Sequence, residues 1–201
     1  QCFSAAYKET YSAQEAVCDL TFIDRVTQTR NLAVCLTDST AEKAEFSFKL
    51  FSYDSQLMLS DVDPILENLG LRIVSERTFA LTSDCSDTSS GARRIWLHDF
   101  LVYRSVADGN LGDEGKRRFE DAFYAIWDGR ADDDAYNALL LRASLTWRQA
   151  GLLRALGAYL KQIRYGYSQL FLAETLSKHA AVTARLVSFF EEQFSPDNAL
   201  S

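Results

Sequence analysis

Proline and long apolar runs are the scarcest features of this sequence. Two prolines and nine glycines stand among 201 residues. No stretch approaches the roughly 18 consecutive apolar residues that a membrane-spanning helix needs, and the start of the chain has no basic segment followed by an apolar signal core. The sequence therefore predicts no membrane segment and no export signal, and a cytoplasmic location is expected.

Basic residues are also in the minority. Lysine and arginine number 21 against 28 aspartates and glutamates, which gives a formal net charge of −7 and an isoelectric point near 4.9. A nucleic-acid-binding protein needs clustered Lys and Arg to neutralise phosphates. No nucleic-acid partner is therefore expected.

The chain has few side chains that ligate zinc. Its two histidines are His98 and His179, and its four cysteines lie far apart with no CxxC pair (Cys2, Cys18, Cys35 and Cys85). This spacing fits no zinc site, and no cysteine has a neighbouring basic residue that would mark a reactive thiol. Four separate thiols are expected, although a disulfide stays possible at this point.

The remaining composition, 47% hydrophobic and 24% charged, is that of a globular protein with one or two domains. The pattern changes near Asp108. Strands alternate with two helices in residues 1–108, whereas residues 109–201 read as helices throughout. The sequence therefore predicts an α+β domain followed by a helical domain.

The first domain is predicted from caps and from alternation. Ser12 and Glu15 form a capping box that opens a helix running to about Val26, and a second helix starts at Ser60 and ends at Gly70. Four strands are expected at residues 32–36, 45–53, 71–81 and 93–104, the second of them half-buried, with a polar loop at residues 82–92. Two helices on one face of a four-stranded antiparallel sheet satisfy this order, as in ferredoxin-like or ACT-like folds.

The second domain follows a glycine-rich linker at residues 108–115. Apolar residues then recur with the helical period, and Gly129, Thr146 and Ser168 mark helix ends or starts. Five helices in a compact bundle are expected. Their apolar faces are predicted to carry, in chain order, Phe119, Ala122, Phe123, Ile126 and Trp127; Tyr136, Leu139, Leu140 and Ala143; Leu153, Leu156, Leu160 and Ile163; Phe171 and Leu176; Val182, Leu186, Phe189 and Phe190.

Acidic residues and histidines are the first candidates for chemistry. Asp128 and the run Asp132, Asp133 and Asp134 do not match the ligand positions of a calcium loop, so they are assigned to a helix start. His98 and Asp99 are adjacent in a strand and face opposite sides, which disfavours a shared acid/base role. We expect His98 to be a hydrogen-bonded structural residue and His179 to cap a helix end.

Arginines and glycines are the remaining candidates. Arg148 and Arg154, beside Trp147, point about 120° apart on a helix, so surface pairing or an interdomain contact is expected of them. The glycines Gly109, Gly112 and Gly115 have GxxGxxG spacing and do not lead into a βαβ unit, which argues against a dinucleotide site. The sequence therefore predicts no catalytic, cofactor-binding or metal-ligating residue in this chain.

Several strings of residues resemble the large multidomain bacterial NAD-dependent glutamate dehydrogenases. They are FEDAFYAIWDGRADDDAYNALLLRASLTWRQAGLLRALGAYLKQI from Phe119, LSDVDPILENLGLRIVSERTF from Leu59, IWLHDF from Ile95 and, more weakly, AAYKETYSAQEAVCDL near the start. The resemblance implies a non-catalytic segment that precedes the catalytic domain, with an ACT-like regulatory module in the first half.

The resemblance also implies a parent reaction and partners. The parent enzyme would deaminate L-glutamate to 2-oxoglutarate and ammonia with reduction of NAD, and NAD would be bound outside this chain. The implied partners are the other domains of the enzyme, further copies in a homo-oligomer, and a small amino acid as effector. Missing domains predict exposed apolar surface. The alternative is a free-standing regulatory or interaction module without enzymatic activity.

Overall fold

The first helices are set by local capping bonds. The computed structural model describes residues 3–29, 31–39, 45–82, 94–104 and 111–194. Helix α1, Ala5–Thr10, begins after Ser4, whose side chain accepts a hydrogen bond from the Tyr7 amide. Helix α2, Ala13–Thr29, opens with the predicted capping box, in which Ser12 and Glu15 bond each other's amides. The sequence did not predict α1, which is too short to show a helical period.

Four strands form one antiparallel sheet in the order β1-β2-β4-β3, and this confirms the predicted α+β class. Their bounds are Ala33–Asp38, Phe46–Tyr53, Leu71–Thr82 and Arg94–Arg104, and helix α3, Leu59–Asn68, lies between β2 and β3 in the chain. In the β2–β4 register, Lys49 stands opposite Asp99. The two central strands therefore place these charged residues on the same face.

Strand β2 is buried on both faces. Phe46, Phe48 and Leu50 are buried on one side, and Lys49 and Phe51 on the other. The prediction that this strand is half-buried is wrong, because helices α1 and α2 cover the face that carries Lys49 and Phe51. Helix α2 packs against β1 and β2, and the core beneath α1 and α2 includes Tyr7, Ile23, Val26, Phe51, Phe79 and Leu97.

Helix α3 ends as predicted and begins earlier than predicted. Gly70 has a φ of 94°, the left-handed conformation that glycine adopts without strain. Ser60 lies inside the helix rather than at its cap, because Leu59 is already helical.

The second half of the described chain contains five helices, as expected. They are α4, Gly112–Trp127; α5, Leu139–Arg142, preceded by a 3-10 turn at Ala135–Ala138; α6, Trp147–Gln162; α7, Gln169–Lys178; and α8, Ala180–Phe194. Thr146 and Gln149 form a capping box at α6, and Ser168 caps α7. The predicted linker at residues 108–115 is partly wrong, since α4 already begins at Gly112; residues 108–110 lie outside the described part.

Part of the predicted apolar faces is exposed. Leu153 and Val187 are buried in the helical core together with Tyr136, Leu139 and Ala173. The prediction that Phe171 points inward is wrong, since it is 47% exposed. Other large side chains of the predicted faces are also exposed. They are Leu156 on α6, Ile163 directly after it, and Val182, Leu186 and Phe189 on α8.

The chain divides into two compact units. The first unit comprises Gln1–Asp63 with Arg72–Tyr103. The other, the helical unit, comprises Pro64–Leu71 with Arg104–Ser201. The predicted boundary at Asp108 lies outside the described residues and stays a prediction. Among the described helices, none has both the length and the apolar character needed to cross a bilayer.

Candidate functional site

Three buried charges lie on the sheet face beneath α1 and α2. Lys49 of β2, Asp99 of β4 and Asp19 of α2 are 7%, 1% and 3% exposed. A charge taken out of water is costly unless it is paired and hydrogen-bonded. The bonds around these three side chains therefore decide whether the first unit is stable.

Lys49 and Asp19 form the first ion pair. The Lys49 Nζ lies 2.7 and 3.0 Å from the two carboxylate oxygens of Asp19. The Tyr7 hydroxyl donates a hydrogen bond of 2.6 Å to the same carboxylate. The ammonium also lies 4.2 Å from the centre of the Tyr11 ring, a distance at which the ring face attracts a cation. Helices α1 and α2 are thus tied to the sheet by charge as well as by apolar contact.

Asp99 is the centre of the second cluster. Its carboxylate accepts hydrogen bonds from the Ser47 hydroxyl at 2.6 Å, from the Arg77 guanidinium at 3.0 Å and from the Tyr11 hydroxyl. Tyr11 therefore touches both clusters, with its ring against Lys49 and its hydroxyl on Asp99. The side chains form one continuous network across β2, β3, β4 and the first two helices.

The network shifts the ionisation of its members. Burial raises the pKa of Tyr7 above its ordinary value, and the hydrogen bond to Asp19 raises it further. Burial also raises the pKa of Tyr11, with the Asp99 charge as the second cause. The Ser12 amide lowers the pKa of Glu15, against a smaller opposing effect of burial. Both tyrosines thus remain neutral donors at physiological pH.

A cavity of about 610 Å³ opens beside this network. Its charged lining contains two cations, Lys49 and Arg77, and four carboxylates, those of Glu15, Asp19, Asp38 and Asp99. Hydroxyls and two thiols complete the polar lining, with Thr37, Ser47, Cys18 and Cys35 among them. The cavity thus holds charges of both signs, with an excess of carboxylates.

A second cleft, of about 520 Å³, lies along α6 in the helical unit. Arg154 donates to the Asp134 carboxylate at 2.7 and 2.8 Å and to the Asn137 amide oxygen at 2.9 Å. Arg148 instead stacks on Trp147, with its guanidinium 4.3 Å from the ring. The expected surface pairing holds for Arg154, whose charge is already neutralised within this unit.

The acidic run and the histidines take structural positions. Asp134 caps the 3-10 turn by accepting from the Tyr136 amide. Among the described residues, no three His, Cys, Asp or Glu side chains group as metal ligands would. His98 is buried, with Nδ1 2.8 Å from the Glu76 carboxylate, on the opposite sheet face from Asp99. His179 is the C-terminal cap residue of α7.

Two other candidate sets lie partly outside the described residues. Gly112 and Gly115 belong to helix α4, whereas Gly109 is not described. Neither Cys18 nor Cys35 forms a disulfide, and Cys2 and Cys85 are not described. Gly112 and Gly115 thus belong to a helix start, where the sequence predicted a linker.

Sequence reasoning missed the network itself. The sequence does not single out Tyr7, Tyr11, Asp19 or Lys49, and it offers Asp99 only together with His98. The available signal is a lysine between Phe48 and Leu50 in β2 and an aspartate in the otherwise largely apolar β4. Their pairing depends on strand register, which alternation alone does not give.

Comparison with known proteins shows which family this chain comes from. Three family models match: glutamate dehydrogenase helical motif 2 over residues 1–26, the glutamate dehydrogenase ACT3 domain over residues 32–112, and glutamate dehydrogenase helical motif 3 over residues 131–196. The chain belongs to the NAD-specific glutamate dehydrogenase family. The cavity lies where the helical motif 2 segment, which supplies Tyr11 and Asp19, meets the ACT3 domain, which supplies Lys49, Arg77 and Asp99.

Curated relatives agree with this assignment. The chain is 42% identical over 196 residues to the NAD-specific glutamate dehydrogenase of Halomonas elongata, 36% identical over 194 residues to that of Pseudomonas aeruginosa, and 30% identical over 199 residues to that of Mycobacterium tuberculosis. Each match covers 96% of this chain and 12% of the relative. The chain thus spans about an eighth of the length of these enzymes.

Proposed function

We propose that this chain is a regulatory and assembly segment of an NAD-dependent glutamate dehydrogenase, with the chemistry carried by other domains. The parent reaction would be conversion of L-glutamate, NAD and water to 2-oxoglutarate, ammonia and NADH. The small share of the relatives' length and the match to ACT3 and helical motifs support this division of labour. The remaining domains, further copies of the enzyme and an effector are the proposed partners.

The observation that carries the proposal is the charged cavity of the first unit. Buried charges cost free energy, and a well-packed apolar cluster would hold α1 and α2 on the sheet at least as well. Lys49, Asp19 and Asp99 are nevertheless retained beside an open cavity. We propose that the cavity binds a small amino acid, whose ammonium would meet the carboxylates and whose carboxylate would meet Arg77.

A binding experiment on this chain tests the effector site. Amino acids, metabolites of glutamate and NAD would each be added before thermal unfolding, because a ligand that binds only the native state raises the midpoint. At 100 times its dissociation constant, such a ligand stabilises the fold by about 2.7 kcal/mol. An amino acid is expected to raise the midpoint, and NAD is expected to leave it unchanged.

The Cys18 thiol supplies a second readout, because it is exposed and lines the cavity. Alkylation of Cys18, followed by mass spectrometry, should slow when the amino acid is bound. Arg77→Gln should abolish both effects, whereas Arg72→Gln, on the same strand and outside the cavity lining, should preserve them. Equal alkylation rates with and without every amino acid tested would leave no support for the effector site, and a scaffold or interdomain connector would become the better assignment.

A further inference from the structure

The helical unit presents large apolar side chains to solvent along three successive helices. On α8, Val182, Leu186 and Phe189 are 65%, 47% and 64% exposed. At the end of α6, Tyr159 and the C-terminal cap residue Ile163 are 59% and 56% exposed. Single exposed apolar residues are ordinary, but a repeated set on neighbouring helices marks an interaction surface.

Helix α8 has two apolar faces rather than one. Thr183 and Val187 are buried on the side that meets the rest of the unit. Val182, Leu186 and Phe189 follow the i, i+4, i+7 spacing, which places them within about 60° of one another, with a mean direction about 110° from that of the buried side. A helix with one solvent-facing side has an apolar stripe of about 100°. The apolar surface of α8, from Phe189 to Val187, is about 160° wide, more than a helix covered from one direction needs.

The connection between α6 and α7 extends this surface with ordered aromatic rings. Tyr167 stacks on Phe171 with ring centres 4.8 Å apart, and Tyr165 lies 5.3 Å from Tyr167. All three side chains are about half exposed. These rings therefore form a contiguous aromatic surface that is exposed to solvent in this chain.

The charge of this region differs from that of the chain. Residues 147–194 contain six Lys and Arg against three Asp and Glu. Because Asp134 already neutralises Arg154, a formal net charge of +2 remains for this region, whereas the whole chain carries −7. A partner would bind this surface more tightly if it carried apolar side chains and a negative charge. A second copy of the same surface would bring like charge against like.

We propose that the exposed faces of α6, α7 and α8 are covered by an acidic, amphipathic helical segment of the same polypeptide, outside these 201 residues. This inference rests on the proposed function, because it requires the longer enzyme. Its relatives supply the length: the matched region is 12% of each, so most of their polypeptide is available to cover this surface. The i, i+4, i+7 stripe is the spacing on which a packed helix inserts its side chains.

Hydroxyl-radical footprinting of the full-length enzyme and of this chain tests the proposal. Oxidation of Phe189 and Tyr167, measured by mass spectrometry, is expected to be at least fivefold slower in the full-length enzyme. Met58, which is 69% exposed in the first unit, serves as the reference for radical dose in the 201-residue chain, and a free peptide added to both samples serves as the reference between them.

Two matched variants then show whether a change in oxidation comes from covering of the α8 stripe or from a change in the whole fold. Leu186→Glu adds a charge to the exposed stripe, and Ser188→Glu adds the same charge on the polar side of the same helix. Neither should shift the unfolding midpoint of the 201-residue chain by more than a degree or two, because both positions are exposed. In the full-length enzyme, Leu186→Glu should restore rapid oxidation of Phe189, and Ser188→Glu should not.

Three results would overturn the proposal. They are equal oxidation of Phe189 in both proteins, protection in the 201-residue chain that grows with its concentration and so reports a second copy, and protection by anionic phospholipid vesicles without protection in the full-length enzyme. The test is independent of the effector site. A full-length enzyme that oxidises glutamate and leaves Phe189 unprotected would contradict only this inference, whereas absence of amino-acid binding would contradict only the effector site.

Discussion

Lys49 shows how one side chain connects the core of the first unit to its candidate site. Its ammonium is held between Asp19 and the Tyr11 ring, with 7% of the residue exposed. Removal of one member of a buried ion pair leaves the other charge without compensation, and this is more costly than the absence of both. Loss of either member of this pair should therefore lower the free energy of unfolding more than loss of a member of a surface pair would.

Lys49→Met is expected to lower the free energy of unfolding by about 3–5 kcal/mol, because Asp19 would then be buried without its cation. Asp19→Leu should be similarly destabilising, and the double variant should lose less than the two single losses combined. Urea unfolding of the four proteins measures this coupling. Additive losses would show that the two charges do not depend on each other.

The buried tyrosines predict a loss of stability in alkali. The pKa of Tyr7 is raised above its ordinary value of 10.0, first by burial and then by Asp19. A raised pKa means that the folded state keeps a proton that the unfolded state releases. The contribution of Tyr7 to the free energy of unfolding is therefore complete below pH 10 and declines as the pH rises above it. The free energy of unfolding should therefore fall with pH above about 10.

Tyr7→Phe is the control for the alkaline prediction, because phenylalanine has no proton to lose. The variant should be less stable at pH 8, where the hydrogen bond to Asp19 is missing, and its stability should fall less steeply above pH 10. Urea unfolding at a series of pH values measures both quantities. Parallel curves for the two proteins would assign the alkaline loss to other groups.

At the scale of elements, close approach between helices is set at Gly157 of α6. The Tyr136 hydroxyl donates to the Gln169 side-chain oxygen at 2.9 Å, directly beside this glycine. A β-carbon at position 157 would lie too close to both groups, 2.7 Å from the Gln169 oxygen. The glycine therefore permits α6 to pack on the 3-10 turn and on α7.

Gly157→Ala is expected to destabilise the helical unit by about 1–3 kcal/mol, because the Tyr136 and Gln169 side chains must move apart. Gly151→Ala is the matched control on the same helix, since a β-carbon there would meet only the Arg154 side chain at 3.9 Å. That variant should gain up to about 1 kcal/mol from helix propensity. Thermal unfolding followed by circular dichroism measures both, and equal effects would contradict the packing argument.

At the scale of the whole molecule, an acidic chain carries an exposed apolar surface. Near pH 4.9 the net charge of the chain approaches zero, and electrostatic repulsion no longer keeps the apolar faces of α6 to α8 apart. Turbidity should therefore be highest near pH 4.9 and low at pH 7. Phe189→Ser should reduce the turbidity at pH 4.9; turbidity that is independent of pH would show that this surface does not drive association.

The sequence by itself determined most of the helices, the four strands and the family. Capping residues such as Ser12, Thr146 and Ser168 form their bonds within three or four residues, so local pattern is sufficient to place the starts of these helices. Short apolar runs, alternation and turn residues are equally local, and together they predict all four strands. The family resemblance extends over most of the chain because it depends on residue identity and not on contacts.

Tertiary structure alone decided which faces are buried and which charges meet. Lys49 and Asp99 are 50 positions apart in the sequence, and only the β2–β4 register sets them opposite each other. Asp19 joins them because α2 crosses the same face. The sequence likewise could not show that the stripe on α8 is exposed, since hydrophobic period identifies an apolar face and not the element that covers it.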